Sequence, residues 1–216
     1  MDGQMGRQME SNLSLSSKPR SASLTIIIFG KPLVKTHDLS PKHNYIIANH
    51  LHGVFSYGAF INFATEATGF ARIFPSITPF TATLDGVFWI PLVRDYVMSM
   101  GMCPVSKLAL EYTLNQKDSG NAVVIMVGGA SESLLYCPGS STILLKHRKG
   151  FIKLALETGR SITTVVGEPL PIPKIKRANK ETVDKYHALY ISALRKLFDQ
   201  HKVEYGLSEN QELTII

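Results

Sequence analysis

Residues 121–127, NAVVIMV, decide the fold. The run is apolar and β-branched, with no polar residue on alternate positions. A strand that does not alternate is covered on both faces, as in a parallel sheet with helices above and below. Two other runs share this character, residues 45–48 (YIIA) and 162–166 (ITTVV). Helical patterns lie between and after them. Ser106 can cap a helix through about residue 116, with Leu108, Ala109 and Tyr112 along one side. Residues 150–158 place Phe151, Leu154 and Ala155 inward, and Gly159 ends that helix. Asn179 caps the clearest helix, in which Val183, Tyr186, His187, Tyr190, Leu194, Leu197 and Phe198 recur to about residue 203. Strands alternating with helices predict an α/β domain, its mostly parallel sheet flanked by helices.

Composition narrows the function classes. At 216 residues and 44% hydrophobic, the chain can bury one substantial core. Net charge +6 favours acidic partners: anionic lipid, phosphorylated cofactors or nucleic acid. Basic residues interleaved with aromatics on one face are not seen, which argues against nucleic acid. Two cysteines, Cys103 and Cys137, are too few for a disulfide scaffold and read as packing residues of a reducing compartment. Residues 1–32 read as a disordered or loosely held arm, and 33–216 as the folded domain. Residues 73–93 are apolar but interrupted by Pro75, Pro79 and Pro91. They read as a loop-rich segment that lies on a bilayer or lines an acyl pocket, or as a buried loop plus a strand.

Chemistry concentrates after the first apolar run. His50 and His52 stand one residue apart on extended backbone and face the same way. Gly53 follows, then an apolar segment, residues 54–68, that ends before Gly69. Three readings stay open: His52 as a general base with His50 orienting it, a metal pair needing further ligands, or two structural histidines. Cys103, Glu132, Cys137 and His147 are the available further ligands, and none sits at a recognised spacing. Gly128 and Gly129 close the buried strand, where α/β sheets take ligands. Glu132 pairs with an imidazole or places a substrate, or is an ordinary surface glutamate. Lys146, His147, Arg148 and Lys149 precede Gly150 and a helix, which suits phosphate groups or makes a solvated turn.

Together these residues resemble a known family. HLHG (50–53), NFATEA (62–67), CPVS (103–106), SGNA (119–122), Gly128-Gly129 with Glu132, RKGF (148–151), ITTVVGEP (162–169) and LFD (197–199) fall in the order found in type-2 diacylglycerol acyltransferases. That family includes monoacylglycerol and wax-alcohol acyltransferases. The resemblance implies a glycerolipid-acyltransferase-like fold and transfer of a fatty acyl group from acyl-coenzyme A, a co-substrate, to an acylglycerol or long-chain alcohol. It implies the endoplasmic reticulum membrane and lipid droplets as the setting, a membrane surface and family members as partners, and no resident cofactor. His52 would be the base, with His50 and Glu132 beside it. Gly53, Gly128, Gly129, Arg148 and Lys149 would contact substrate. Three departures stand out. Leu51 replaces the proline of the family's His-Pro-His-Gly motif, which frees the backbone before His52. Residues 1–30 resemble nothing in the family's apolar membrane hairpin. Residues 158–161 join directly where the family has a long segment, and residues 162–168 are expected to take the place of the strand lost there.

Overall fold

The computed structural model describes residues 33, 35–50, 56–116, 119–137, 140–164, 167–204 and 206–216. The expected N-terminal arm, with Leu51, His52, Gly53 and Val165–Val166, lies outside the described residues. Among those described, five strands form one sheet in the order β3 (Met102–Pro104), β2 (Thr78–Thr83), β4 (Asn121–Met126), β1 (Tyr45–Asn49) and β6 (Ser161–Thr164). Every neighbouring pair is parallel. Two short strands, β5 (Thr142–Ile143) and β7 (Thr214–Ile215), pair separately and tie the C-terminus down. The helices, in chain order, are α1 (Tyr57–Ala59), which continues as a π-helical turn at Phe60–Ala64, then α2 (Phe70–Ile73) and α3 (Val93–Ser99). They continue with α4 (Lys107–Asn115), α5 (Gly129–Leu134), α6 (Gly150–Thr158) and α7 (Lys180–His201).

Alternate residues of the central strands point to opposite faces, and both faces are covered. Ile46, Ala48, Val123 and Ile125 join Leu110 of α4, Ile152 and Leu156 of α6 and Tyr190 of α7 in one core. Tyr45, Ile47, Ala122 and Val124 join Ala59, Phe63, Phe70 and Phe74 in the other. This is why the runs carry no polar alternation: each position loses water, at roughly 1.5–3 kcal/mol of stabilisation per large side chain. The buried Asn44 staples the start of the sheet. Its Nδ2 donates to the Leu114 carbonyl and its Oδ1 accepts from the Asn121 N–H, both at 2.9 Å.

Two expectations need correction. In α4 the sheet-facing side chains are Leu110, Thr113 and Leu114, whereas Leu108 and Tyr112 are exposed. The helix carries two apolar stripes on opposite sides, and only the packing decides which meets the sheet. Residues 73–93 divide: the first part supplies β2 inside the sheet, and the rest enters an exposed excursion over residues 84–99.

The join after α6 closes without a gap. Gly159 adopts a left-handed φ of 68°, and its N–H caps Ala155. The chain then turns straight into β6, which pairs with β1 with Tyr45 opposite Ser161 and Ala48 opposite Thr164. Residues 161–164 therefore stand in the same sheet as β4, as the sequence led one to expect. An antiparallel bridge from Ile162 to Leu170 covers the outer edge of the strand.

On α7, Asn179 caps the helix through a 2.8 Å bond from the Thr182 N–H. His187 is buried there, and its Nε2 donates to the Leu145 carbonyl at 3.1 Å. Burial, and to a lesser degree the Lys149 charge, hold this imidazole below its ordinary value of 6.5 and outweigh the Leu145 carbonyl and Asp184. The folded state thus keeps His187 neutral while the unfolded chain takes up a proton at about 6.5. His187 stability is complete above that value and is lost as pH falls through it toward the lower folded pKa. Melting temperatures across a neutral-to-mildly-acid series should fall in that window. The fall should be shallower in His187→Gln, which keeps a donor but does not titrate; identical slopes would remove His187 as its source.

Candidate active site

The chain order of the strands creates a reversal between β4 and β1. From β1 the chain passes to β2 and β3 on one side, returns to β4, and crosses to β6 on the other side. The carboxyl ends at such a reversal are where open α/β sheets bind ligands. Here a cleft of about 620 Å³ opens at the ends of β2 and β4. Ala82, Leu84, Ile125, Val127 and Phe151 give it apolar walls. His147, Arg148 and Lys149 line it where the chain enters α6. Thr81 also lines it, and its hydroxyl is buried with no hydrogen-bond partner among the described residues.

The two glycines after β4 have different reasons to be glycine. Gly129 has a positive φ of 59° and lines the cleft as the first residue of α5. Gly128 makes room: a Cβ there would overlap the Glu132 side chain, including its Cβ. Gly129, Ala130 and Ser133 look into the cleft, while Glu132 lies off that face and is buried. Its Oε2 accepts the Leu144 N–H at 2.8 Å and stands 3.8 Å from Nδ1 of His50. On the other side of that ring, Nε2 of His50 meets the Tyr190 hydroxyl at 2.9 Å. Tyr190 is fully buried against Phe151, and burial, with the nearby Glu132 charge, pushes its phenol far above the ordinary range. It therefore stays a proton donor.

The structure brings His50 and Glu132 together, and Arg148, Lys149 and Gly129 onto one cleft. His52 and Gly53 fall outside the described residues. Arg148 donates to the Ser131 hydroxyl at 3.3 Å. Lys149 bonds Asp184 at 2.6 Å, and that bond is the main reason the Asp184 carboxyl sits below the usual carboxylate range. Among the described residues, no group of three or more His, Cys, Asp or Glu is placed to hold a metal ion. Cys103 is buried, which raises its thiol to about 11 and keeps it unreactive as a nucleophile. Reading the sequence missed Tyr190 as a site residue, since its spacing marks only an inward helical position. The available signal is chemical: a buried tyrosine hydroxyl needs a partner.

The profile of the diacylglycerol acyltransferase family matches residues 26–162 and 158–216. Human diacylglycerol O-acyltransferase 2-like protein 6 is 58% identical over 251 aligned positions, spanning 87% of this chain and 74% of the relative. Human acyl-CoA wax alcohol acyltransferase 2 is 41% identical, over 87% and 74% of the two chains. Zebrafish (Danio rerio) diacylglycerol O-acyltransferase 2 is 38% identical, over 85% and 68%. No solved structure matches. The chain belongs to the diacylglycerol acyltransferase family, whose members are acyltransferases. Its two matched stretches meet at residues 158–162, at the direct join into β6. The bovine 2-like protein 6 aligns over 248 positions that cover 85% of these 216 residues, about 184, so about 64 positions of the relative have no counterpart here.

The glycines test this geometry. Gly129→Ala meets open space and pays only for its left-handed backbone, about 1 kcal/mol. Gly128→Ala collides with the root of Glu132, not with a side-chain tip that can swing away, and should cost about 1–3 kcal/mol. Urea unfolding of the two variants should rank Gly128→Ala as the less stable; the reverse order would contradict the packing.

Proposed function

We propose that the chain transfers a fatty acyl group from acyl-coenzyme A to a lipid alcohol, an acylglycerol or a long-chain alcohol, with His52 as general base. The observation that carries this reading is the cleft at the strand ends, apolar along its walls and basic at the entry to α6. Its volume of about 620 Å³ falls in the range of ligand pockets, roughly 300–1,000 Å³. An acyl chain suits the walls. The phosphates of a nucleotide thioester suit Arg148 and Lys149. In the reaction, a neutral imidazole takes the proton of the acceptor hydroxyl. The oxygen bonds to the thioester carbonyl carbon, and backbone N–H groups, that of Gly53 among them, hold the oxyanion. The C–S bond then breaks and the leaving thiolate takes the proton back from the imidazolium. This sequence requires no acyl-enzyme and no cofactor beyond the acyl donor. Purified chain in detergent, given acyl-coenzyme A and a lipid alcohol, should form ester, and His52→Ala should lower the rate by about 100-fold or more. Equal turnover by the two proteins would reject His52 as the base.

A second reading rests on the join at residues 158–162 and on Leu51. The chain is then a shortened form of low activity that works by associating with membranes or with full-length relatives. Co-purification with a full-length relative supports it; vigorous ester formation by Leu51→Pro alone argues against it.

Both readings place the chain at a membrane surface, in the endoplasmic reticulum and on lipid droplets. Among the described residues no helix is long and apolar enough to cross a bilayer. The exposed excursion supports surface contact. Trp89 and Leu92 are each 82% exposed, with Leu84, Ile90, Val93, Tyr96 and Met98 also outward. Leu92 holds a left-handed φ of 68°, a strained conformation that presents an apolar side chain to solvent. Leu84 belongs both to this surface and to the cleft, so an immersed excursion opens the cleft toward lipid. Trp89 is the single tryptophan, and its emission should shift to the blue when phospholipid vesicles are added. Leu92→Asp should weaken the titration; an unshifted spectrum at saturating lipid would sink the surface.

A further inference from the structure

The buried polar contact behind the cleft carries one step more. We propose that Tyr190 is a positioning residue: its hydroxyl donates to Nε2 of His50, fixes the proton of that ring on Nδ1 toward Glu132, and so withdraws His50 from proton transfer. The assignment rests on the ester-forming reading for its kinetic consequence but on this geometry alone for its structural content.

The tautomer follows from the two neighbours of the ring. Glu132 presents a carboxylate oxygen 3.8 Å from Nδ1. A bare nitrogen lone pair facing that oxygen is repelled, while an N–H is attracted. The neutral ring therefore carries its hydrogen on Nδ1. Nε2 is then an acceptor, and the Tyr190 hydroxyl at 2.9 Å is the donor that fills it. At 3.8 Å the attraction of Nδ1 to Glu132 is electrostatic, and among the described residues Nδ1 has no hydrogen bond of ordinary length, so the Tyr190 bond holds the ring. Glu132 is itself held by the Leu144 N–H at 2.8 Å and by the space that Gly128 leaves. Three elements, the end of β1, α5 and α7, are thereby joined through one imidazole. His52 follows two residues later in the chain, so the anchoring of His50 sets where its segment begins. A general base needs a nitrogen free to take a proton, and His50 offers neither. Of the two histidines, only His52 remains for that task.

Tyr190→Phe removes one oxygen and keeps the ring against Phe151. By loosening His50 it should lower kcat about 10- to 100-fold, with KM for both substrates changed less than about twofold. Nitrogen-15 NMR of the imidazoles, with His50 assigned from His50→Gln, supplies a readout independent of turnover. In the wild-type chain, the neutral form of His50 should show a protonated Nδ1 and an acceptor Nε2. In Glu132→Gln, which keeps an acceptor for Leu144 but loses the charge, the opposite tautomer should gain population. A protonated Nε2 in neutral wild-type His50 would overturn the proposal. So would unaltered kcat in a Tyr190→Phe protein that melts like wild type. If the wild-type chain forms no ester at all, the transferase reading fails, and the NMR result still decides the role of Tyr190.

Discussion

The parallel pairing of β1 with β4 is the constraint on which the rest depends. It sets Tyr45 opposite Ala122 and Asn49 opposite Met126, so both strands end at the same level. His50 follows one end and the glycine pair follows the other, although some 80 residues of chain separate them. A slip by one residue would exchange the two faces of a strand whose every position is packed. The register is held by burial on both faces, and Asn44 pins its start through the Asn121 N–H.

From that register follows a division of labour on α5. One side of this short helix belongs to the cleft, through Gly129, Ala130 and Ser133. Its other side holds Glu132 against His50 and the Leu144 N–H. The glycine pair permits both, one residue by its φ and the other by its missing side chain. A buried carboxylate is tolerated only where hydrogen bonds replace water, and here they also lock three elements together. The ligand-facing and framework-facing chemistry thus share one turn of helix.

At the join near Gly159, where the two matched stretches of the family profile meet, the sheet still closes. Gly159 reverses the chain at no steric cost, and residues 161–164 are β-branched or small enough to serve as the strand beside β1. The edge this creates is covered by the bridge to Leu170. Closure of the sheet is a local matter of backbone pairing. The cleft lies on the other side, at β2 and β4, lined by residues from elsewhere in the chain.

Much of the framework was legible in the sequence. Buried parallel strands announce themselves as unbroken apolar runs, Asn179 marks a helix start, and Gly159 marks a stop, because each depends on residues within a few positions. The basic run before Gly150 was legible for the same reason. Local pattern could not choose which apolar stripe of α4 faces the sheet, since Leu108 with Tyr112 and Leu110 with Leu114 are equally spaced. Nor could it reveal that Tyr190, spaced like any inward residue of α7, supplies a hydroxyl to His50. The sequence by itself determined the three central strands β1, β4 and β6, the helix ends and the chemical types available to the site. Tertiary structure alone decided which of those groups meet, because hydrogen bonds and ion pairs between distant segments exist only once the sheet register has brought them within about 3–4 Å.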